Sequence, residues 1–495
     1  MTPATAYRSM LQPRIDLIPR SRLLVGDEDI TDPSGGYCDH HYAATGKLVG
    51  RVPLAGASEV DAAVELARAA APGWRSSPVL RRQVLLRMGS IIREHAAELA
   101  QLAIIDNSFP IAGAEAEYHS TADFLEYNAG WADKITGEVV PTLKRPALDY
   151  AQEEPYGVVG VIAPWNGPVN VFGIVGGPAL AAGNTVVVKI PELTPYASVR
   201  VAELFREAGF PPGVITFLTG GPEAGQAMTA HPGIDKIHFT GSPSTARDVL
   251  ARAAVNITPC ALELGGKSAN ILFEDADLAS AVPMAMGQVI ARSGQGCIRG
   301  TRLLVQEAIY DDVVTACAEI AERAVVGDPL EPGTQMGPVI SAAARDRIAG
   351  MIDRAAAERA GRVVAGGAHS PDDLGDGFYL RPTVIADVEP SSAIAQEEVF
   401  GPVLCVLPFR SDDDAVALAN NTDYALAGYI QTNDLTRAHV VADRLVTGNV
   451  WVNGFDGIME TAPFGGAKAS GFGRQGGYHG IAEFIRPKNV WIGLR

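Results

Sequence analysis

Hydrophobic and polar positions follow two different rhythms along this chain. Over residues 58–71, SEVDAAVELARAAA, the apolar positions Val60, Ala63, Val64 and Ala67 recur at helical spacing between polar ones. Ser58 is the expected helix N-cap, Asp61 is placed to reach back to it, and Pro72 is the expected stop. Helical patterns continue to about residue 130. From Pro155 the rhythm changes to short apolar runs: GVVGVIA (157–163), TVVVKI (185–190), VITFLT (214–219), KIHFT (236–240) and ALELG (261–265). Segments with helical periodicity, PYASVRVAELFREAG (195–209) and SPSTARDVLARA (242–253), lie between them. Apolar strands recurring about every 25 residues, with helices between, predict a parallel sheet covered on both faces. RLLVQ (302–306) and YDDVVTACAEIAERA (310–324) open a second series and predict a second α/β unit.

Composition narrows the class. With 495 residues, 47% hydrophobic and 20% charged, the chain fits a globular protein of two or three domains. No apolar run approaches the ~18 residues that span a bilayer. The first twenty residues alternate Arg and Pro without an apolar signal core, and Pro13, Asp16 and Pro19 interrupt any amphipathic transit helix. The expectation is a cytoplasmic protein with an N-terminal extension. A formal charge of −17 opposes attraction to nucleic acid or anionic membranes. Five widely spread cysteines, without C-x-x-C or zinc spacing, and nine scattered histidines predict free thiols and no metal site. GFGRQG (471–476) matches a dinucleotide-binding pattern but stands too near the C-terminus for a βαβ unit, so a loop is expected. GGKS (265–268) lacks the first glycine of a phosphate-binding loop, Ala261 standing in its place.

Candidate chemistry centres on IARSGQGCIRGTR (290–302). Alone, Cys297 reads more readily as a small buried hydrophobe than as a nucleophile. Asn166, before Gly-Pro, is equally good turn chemistry, and Glu263 could be a surface carboxylate at a strand end. The surrounding motifs change this balance. APWNGP (163–168), PALAAGNTVVVKIPE (178–192), FTGS (239–242), LELGGKSAN (262–270), GQGC (294–297), EEVFGPVL (397–404) and PFGGAKASGFGR (463–474) occur in order. Together they resemble the motif set of the NAD(P)-dependent aldehyde dehydrogenase superfamily over nearly the whole chain.

The resemblance implies roles residue by residue. Cys297 matches the nucleophile that forms a thiohemiacetal and then a thioester, and its small neighbours would give a nicotinamide clearance. Asn166 matches the amide that stabilises the oxyanion with the Cys297 backbone N–H. Glu263, 34 residues before Cys297, matches the base that activates the hydrolytic water, and a raised pKa is expected for it. For the cofactor, Lys189 and Glu192 match adenine-ribose contacts, and the Glu192 carboxylate favours NAD over NADP. Ser242 would hold pyrophosphate at a helix N-terminus, although Ala246 replaces a glycine common in the family. Gly221 and Gly225 would pack near the adenine, Glu398 would bind the nicotinamide ribose, and Trp165, Phe239, Gly265 and Phe400 complete the expected cofactor site.

Departures are informative. Many relatives carry a Lys and a Glu, paired for proton relay, where this chain has Val175 and Gln475. Losing both avoids stranding one partly buried charge, and leaves water or backbone as the expected proton route. The matched tunnel positions are Gly167, Val171, Ile174, Gly296, Ile298, Ile458 and Phe464, which suggest a hydrophobic aldehyde: aromatic, terpenoid or medium-chain. Arg299 would anchor a semialdehyde carboxylate if it pointed inward, but a surface or interface role is expected for it. A CoA-acylating relative, a simple thiol esterase and a non-catalytic homologue are the remaining alternatives; Glu263, the ribose contacts and the complete triplet of Asn166, Glu263 and Cys297 argue against each in turn.

The resemblance therefore implies a Rossmann-like NAD-binding domain (1–140 and 156–262), an α/β catalytic domain (263–462) and a small β oligomerisation arm (141–155 and 475–495). The arm would use PTLKRPALDYAQEEP and KNVWIGL to build a homodimer or homotetramer, because exposed edge strands need partners.

Overall fold

The computed structural model describes residue 18 and residues 21–494 apart from 27, 372 and 373. The N-terminal stretch 1–17, expected to be an extension, and Arg495 lie outside the described residues. From Ala57 the chain is helical, as its periodicity predicts: Ala57–Arg75, Pro78–Glu94, Ala96–Asn107 and Ile111–Ala129. Before it, however, Tyr37–Tyr42 and Lys47–Pro53 pair as an antiparallel hairpin, so the first quarter is not helical throughout. Val60, Ala63, Val64 and Ala67 form the buried face of the first helix.

That helix differs from expectation at both ends. Its N-cap is Gly56, not Ser58, and the Glu59 carboxylate accepts the Gly56 N–H at 2.8 Å and the Ser34 N–H at 3.0 Å. Glu59 thus ties the helix to a distant loop, which Asp61 does not; Asp61 lies 3.0 Å from His231 instead. Pro72 lies inside the helix rather than ending it. A proline removes one internal hydrogen bond, but burial of Trp74, whose Nε1 donates to the Leu180 carbonyl at 3.1 Å, carries the helix on to Arg75.

One sheet has six strands in the order Gly471–Phe472, Cys260–Glu263, Lys236–Thr240, Val158–Ile162, Thr185–Pro191, Ile215–Gly220. The last five run parallel, and Gly471–Phe472 closes the edge antiparallel to Leu262 and Glu263. GFGRQG therefore supplies an edge strand as well as a turn. Alternation assigns the two faces. Ile237, Phe239 and Leu262 pack with Val60 and Val64, whereas Val159, Val161 and Val188 pack with Phe172 and Val175 of the helix Pro168–Ala182. Strands buried on both faces explain the unbroken apolar runs.

The second sheet has seven strands, with Ala269–Leu272 parallel to both Arg302–Gln306 and Ala427–Gln431 near its middle. The link between the sheets contains GGKS, whose Lys267 is buried and holds no exposed phosphate-binding loop. A third, three-stranded sheet pairs Ala147–Pro155 with Ile485–Gly493, and adds Glu138–Val140. Among the described residues no helix is long and apolar enough to cross a membrane.

Two helices are joined by a buried carboxylate. Asp106, at the end of the third helix, accepts the backbone N–H groups of Tyr196 at 3.0 Å and Ala197 at 2.9 Å, capping the helix Tyr196–Ala208 from outside. Burial pushes its carboxyl up to about 8. An Asp106→Ala variant is expected to lose about 1–3 kcal/mol by stranding two buried donors, read as a lower midpoint in urea unfolding; an unchanged midpoint would exclude this role.

Candidate functional site

Parallel strands of an open sheet deliver their C-terminal ends to one side, where ligands bind. Here Ile162, Lys189, Thr240 and Glu263 stand at such ends and line a cleft of about 1030 Å³ between the two larger sheets. The cleft also takes in Trp165, Asn166, Glu192, Gly221, Gly225, Phe239, Ser242, Gly265, Cys297, Glu398 and Phe400. Every residue matched to catalysis or cofactor binding in the sequence is thus brought to one place.

The cofactor side has a defined geometry. Lys189 Nζ lies 3.7 Å from the Glu192 carboxylate. An added Cβ on Gly221 or Gly225 would meet only open space, so both leave room in the cleft. Ser242 caps the helix Pro243–Ala253, its Oγ accepting the Thr245 N–H at 3.2 Å. Glu398 accepts the Gly266 N–H at 2.8 Å, and a side chain on Gly265 would come within 2.3 Å of the same carboxylate. Trp165 and Phe400 meet edge to face, ring centroids 5.4 Å apart.

Cys297 ends a tightly wound loop. Arg292, Ser293 and Gly294 all have positive φ, and a Cβ on Gly294 would lie 2.1 Å from the Gly401 carbonyl oxygen. Ser293 Oγ donates to the Gly337 carbonyl at 2.7 Å, and Gln295 Oε1 accepts the Ile340 N–H at 2.9 Å. Gly296 is small for another reason: a Cβ there would come 2.9 Å from Arg299 Nε. The glycines before Cys297 therefore serve local packing, a requirement separate from the expected clearance for a nicotinamide. Asn166 Nδ2 points into this loop, 3.3 Å from the Gln295 carbonyl.

Burial dominates the electrostatics. It raises Glu263 well above the ordinary carboxylate range, with Arg474 opposing. It pushes the Cys297 thiol up to about 12, with Glu398 and Glu263 adding to the shift, and Glu398 up to about 7. Cys297 therefore rests as a thiol. Among the described residues no group of three or more His, Cys, Asp and Glu could hold a metal.

The expected tunnel is not brought together in the same way. None of Gly167, Val171, Ile174, Gly296, Ile298, Ile458 and Phe464 lines this cleft or the smaller cavity described next. Ile174 is buried in the core, Val171 and Ile458 pack against it, and Phe464 pairs through its backbone with Gln475. The Ile298 carbonyl accepts the Tyr429 hydroxyl at 2.7 Å. The space expected at Gly167 is approached by Glu117, whose Oε1 would lie 3.2 Å from an added Cβ.

A second cavity of about 440 Å³ is lined by Phe109, Glu117, Arg292 and Arg299 among others. Arg292 Nη2 pairs with Glu117 at 2.7 Å, and Arg292 Nη1 donates to the Asn166 carbonyl at 3.3 Å. Arg299 is not the surface residue expected from sequence: its Nε is buried without a hydrogen-bond partner, and burial lowers its pKa to about 10. Arg292 and Glu117 were not signalled in sequence, because they meet across 175 residues and match no motif.

Comparison with known proteins agrees with this geometry. The aldehyde dehydrogenase family model matches residues 30–490. Betaine aldehyde dehydrogenase 1 of Rhizobium meliloti is 38% identical over 96% of this chain and 98% of that protein. The crystal structure of PnpE from Pseudomonas sp. WBC-3 has a TM-score of 0.92 at 39% identity, covering 96% of this chain and 98% of that one. Betaine aldehyde dehydrogenase from Staphylococcus aureus, solved in complex with NAD+, has a TM-score of 0.94 at 34% identity, covering 97% of each. The chain belongs to the aldehyde dehydrogenase family.

Proposed function

We propose that the protein is an NAD-dependent aldehyde dehydrogenase that oxidises an aldehyde to its carboxylic acid through a thioester on Cys297. The observation that carries this reading is the convergence of Cys297, Glu263 and Asn166 on one cleft with the residues matched to a dinucleotide. NAD bound there supplies the hydride acceptor; Lys189, Glu192, Ser242 and Glu398 would hold it, and open space over Gly221 and Gly225 fits it. In this reading the six-stranded sheet serves the cofactor, the seven-stranded sheet carries Cys297, and the third sheet is an assembly arm.

The chain's own groups divide the work. Cys297 loses its thiol proton to solvent and its sulfur bonds to the aldehyde carbon, while the Asn166 amide steadies the oxygen that becomes negative. Loss of hydride from that carbon leaves the thioester. Glu263 then takes a proton from water, the water oxygen bonds to the carbonyl carbon, and the carbon–sulfur bond breaks to release the acid. Burial raises the proton affinity of Glu263, so its ionised carboxylate is a stronger base toward water than an exposed one.

Two readings of the aldehyde differ in chemistry. An apolar aldehyde follows from the matched tunnel residues, but these join the core. The unpartnered Arg299 Nε favours the second, an aldehyde bearing a carboxylate at its far end. Arg292 is already neutralised by Glu117, so Arg299 is the cation left for such a group.

The arm supports a homo-oligomer. Val139, Leu148 and Ile492 are exposed on one face of its paired strands, an apolar surface suited to a second copy.

Three measurements check these proposals. With NAD and aldehyde but no CoA, the enzyme is expected to form NADH and Cys297→Ala to form none; the rate of the first NADH burst should climb with pH, because the thiol resting near 12 yields more thiolate. NADH formation by Cys297→Ala would exclude the mechanism. In an aldehyde panel, Arg299→Ala is expected to lose about tenfold or more in kcat/KM for semialdehydes only; an equal loss for benzaldehyde would favour the apolar reading. Sedimentation should give a dimer or tetramer that Ile492→Asp dissociates, and a monomeric parent would exclude the arm's role.

A further inference from the structure

The proton that Glu263 receives must leave it in every turnover, and the charged pair that relatives place nearby is absent. Val175 is fully buried in the core, and Gln475 is buried with its Nε2 3.0 Å from His238 Nε2. His238 lies on the strand Lys236–Thr240, opposite Ala261 on one side and Val161 on the other. Val161 packs in the core that contains Val175, so His238 faces the helix Pro168–Ala182 from beneath. Neighbouring parallel strands present paired residues to one face, and alternate residues share that face. Thr240 is paired with Glu263, so Glu263, Thr240 and His238 lie on one side of the sheet. His238 and Glu263 are diagonal neighbours, with backbones about 8 Å apart, a gap that two side chains and one water close.

A row of unmatched polar atoms marks this route. Both Glu263 carboxylate oxygens, Thr240 Oγ1 and His238 Nδ1 are buried without a hydrogen-bond partner among the described residues. Buried polar atoms in such numbers are costly unless water or one another satisfies them. The Gln475 amide nitrogen can only donate, so His238 Nε2 accepts and the ring proton stands on Nδ1, the unmatched atom.

We infer that His238, fixed in one tautomer by Gln475, is the positioning residue that replaces the missing charged pair: through a buried water, its Nδ1–H supports the Glu263 carboxylate during thioester hydrolysis. This inference rests on the dehydrogenase reading above. His238 touches neither substrate nor cofactor. It makes the ionised form of Glu263 easier to reach, and its effect is confined to the hydrolytic step.

The other charges around His238 are Lys236 on its own strand, Arg474 on the C-terminal loop, and Glu483, which pairs with Lys236 at 2.5 Å and accepts the Arg474 N–H at 3.1 Å. Burial, aided by Lys236, holds the imidazole down at about 3. It is neutral throughout the working range, so its own titration adds no limb to a pH profile. The helix Pro168–Ala182 contributes no titratable group.

The test compares the parent with His238→Leu and His238→Gln by single-turnover and steady-state kinetics. In His238→Leu the NADH burst should keep its amplitude and rate, and KM for NAD should not change. The hydrolytic rate at neutral pH should fall about tenfold or more, and its pH profile should move about one unit to higher pH. His238→Gln, whose amide can still donate to water, should restore most of the rate. If stranding Gln475 unfolds the single variant, His238→Leu with Gln475→Leu is measured against Gln475→Leu alone; the shift keeps its direction but is smaller, because Gln475→Leu already frees the tautomer. An unmoved hydrolytic profile, or a loss confined to the burst, overturns the inference. Absence of any NADH burst in the parent overturns the dehydrogenase reading instead.

Discussion

The site depends on how one loop is wound. Residues 292–294 turn the chain through left-handed backbone, a conformation that only a glycine adopts freely, and the turn is closed against the Gly401 carbonyl. Arg292 and Ser293 bear this conformation with side chains, and each is anchored, Arg292 on Glu117 and Ser293 on the carbonyls of Gly337 and Pro338. The strain is held by surrounding contacts rather than relieved. Because the loop belongs to neither sheet, its anchors set where Cys297 stands relative to Glu263. A loop free to unwind would separate the Cys297 sulfur from the Glu263 carboxylate, which the proposed mechanism needs together.

A second constraint is the scarcity of counter-charge. Cys297, Glu263 and Glu398 are all shifted toward their neutral forms, in each case chiefly by burial. Neutral resting forms let a cleft accept both a charged cofactor and an uncharged aldehyde without stranding an ion. In the proposed reaction charge would then be transient, appearing on sulfur and next on the aldehyde oxygen. Neighbours that touch no substrate, such as Arg474 and His238, acquire influence because the groups they face are so nearly balanced.

Much of this was legible in the sequence. The apolar runs placed the five parallel strands of the six-stranded sheet to within about a residue or two, as expected of strands buried on both faces, whereas the edge strand Gly471–Phe472 lies in a segment expected to be a loop. The residues matched to catalysis and cofactor binding sit in short local motifs, several of them at strand ends, so much of their convergence followed from the fold. What was not legible is long-range. Glu59 rather than Asp61 serves the first helix because Ser34 is nearby in space, and Pro72 is tolerated because Trp74 is buried. Arg299 turns inward because Gly296 leaves it room. The cavity beside Arg299 draws on Glu117 and Arg292 from segments far apart in the chain, which no spacing along it encodes.

The short strand Gly471–Phe472 has a consequence for synthesis of the chain. It is the only cover, among the described residues, on the outer edge of the strand that ends in Glu263. While a ribosome makes the intervening two hundred or so residues, that edge stays open, and so does the edge of Ala147–Pro155 that awaits Ile485–Gly493. Open edges invite pairing with other chains. These late segments thus act as a clasp: the nascent protein can shape its sheets early, but the strand that ends in Glu263 is covered only once Gly471–Phe472 has been made.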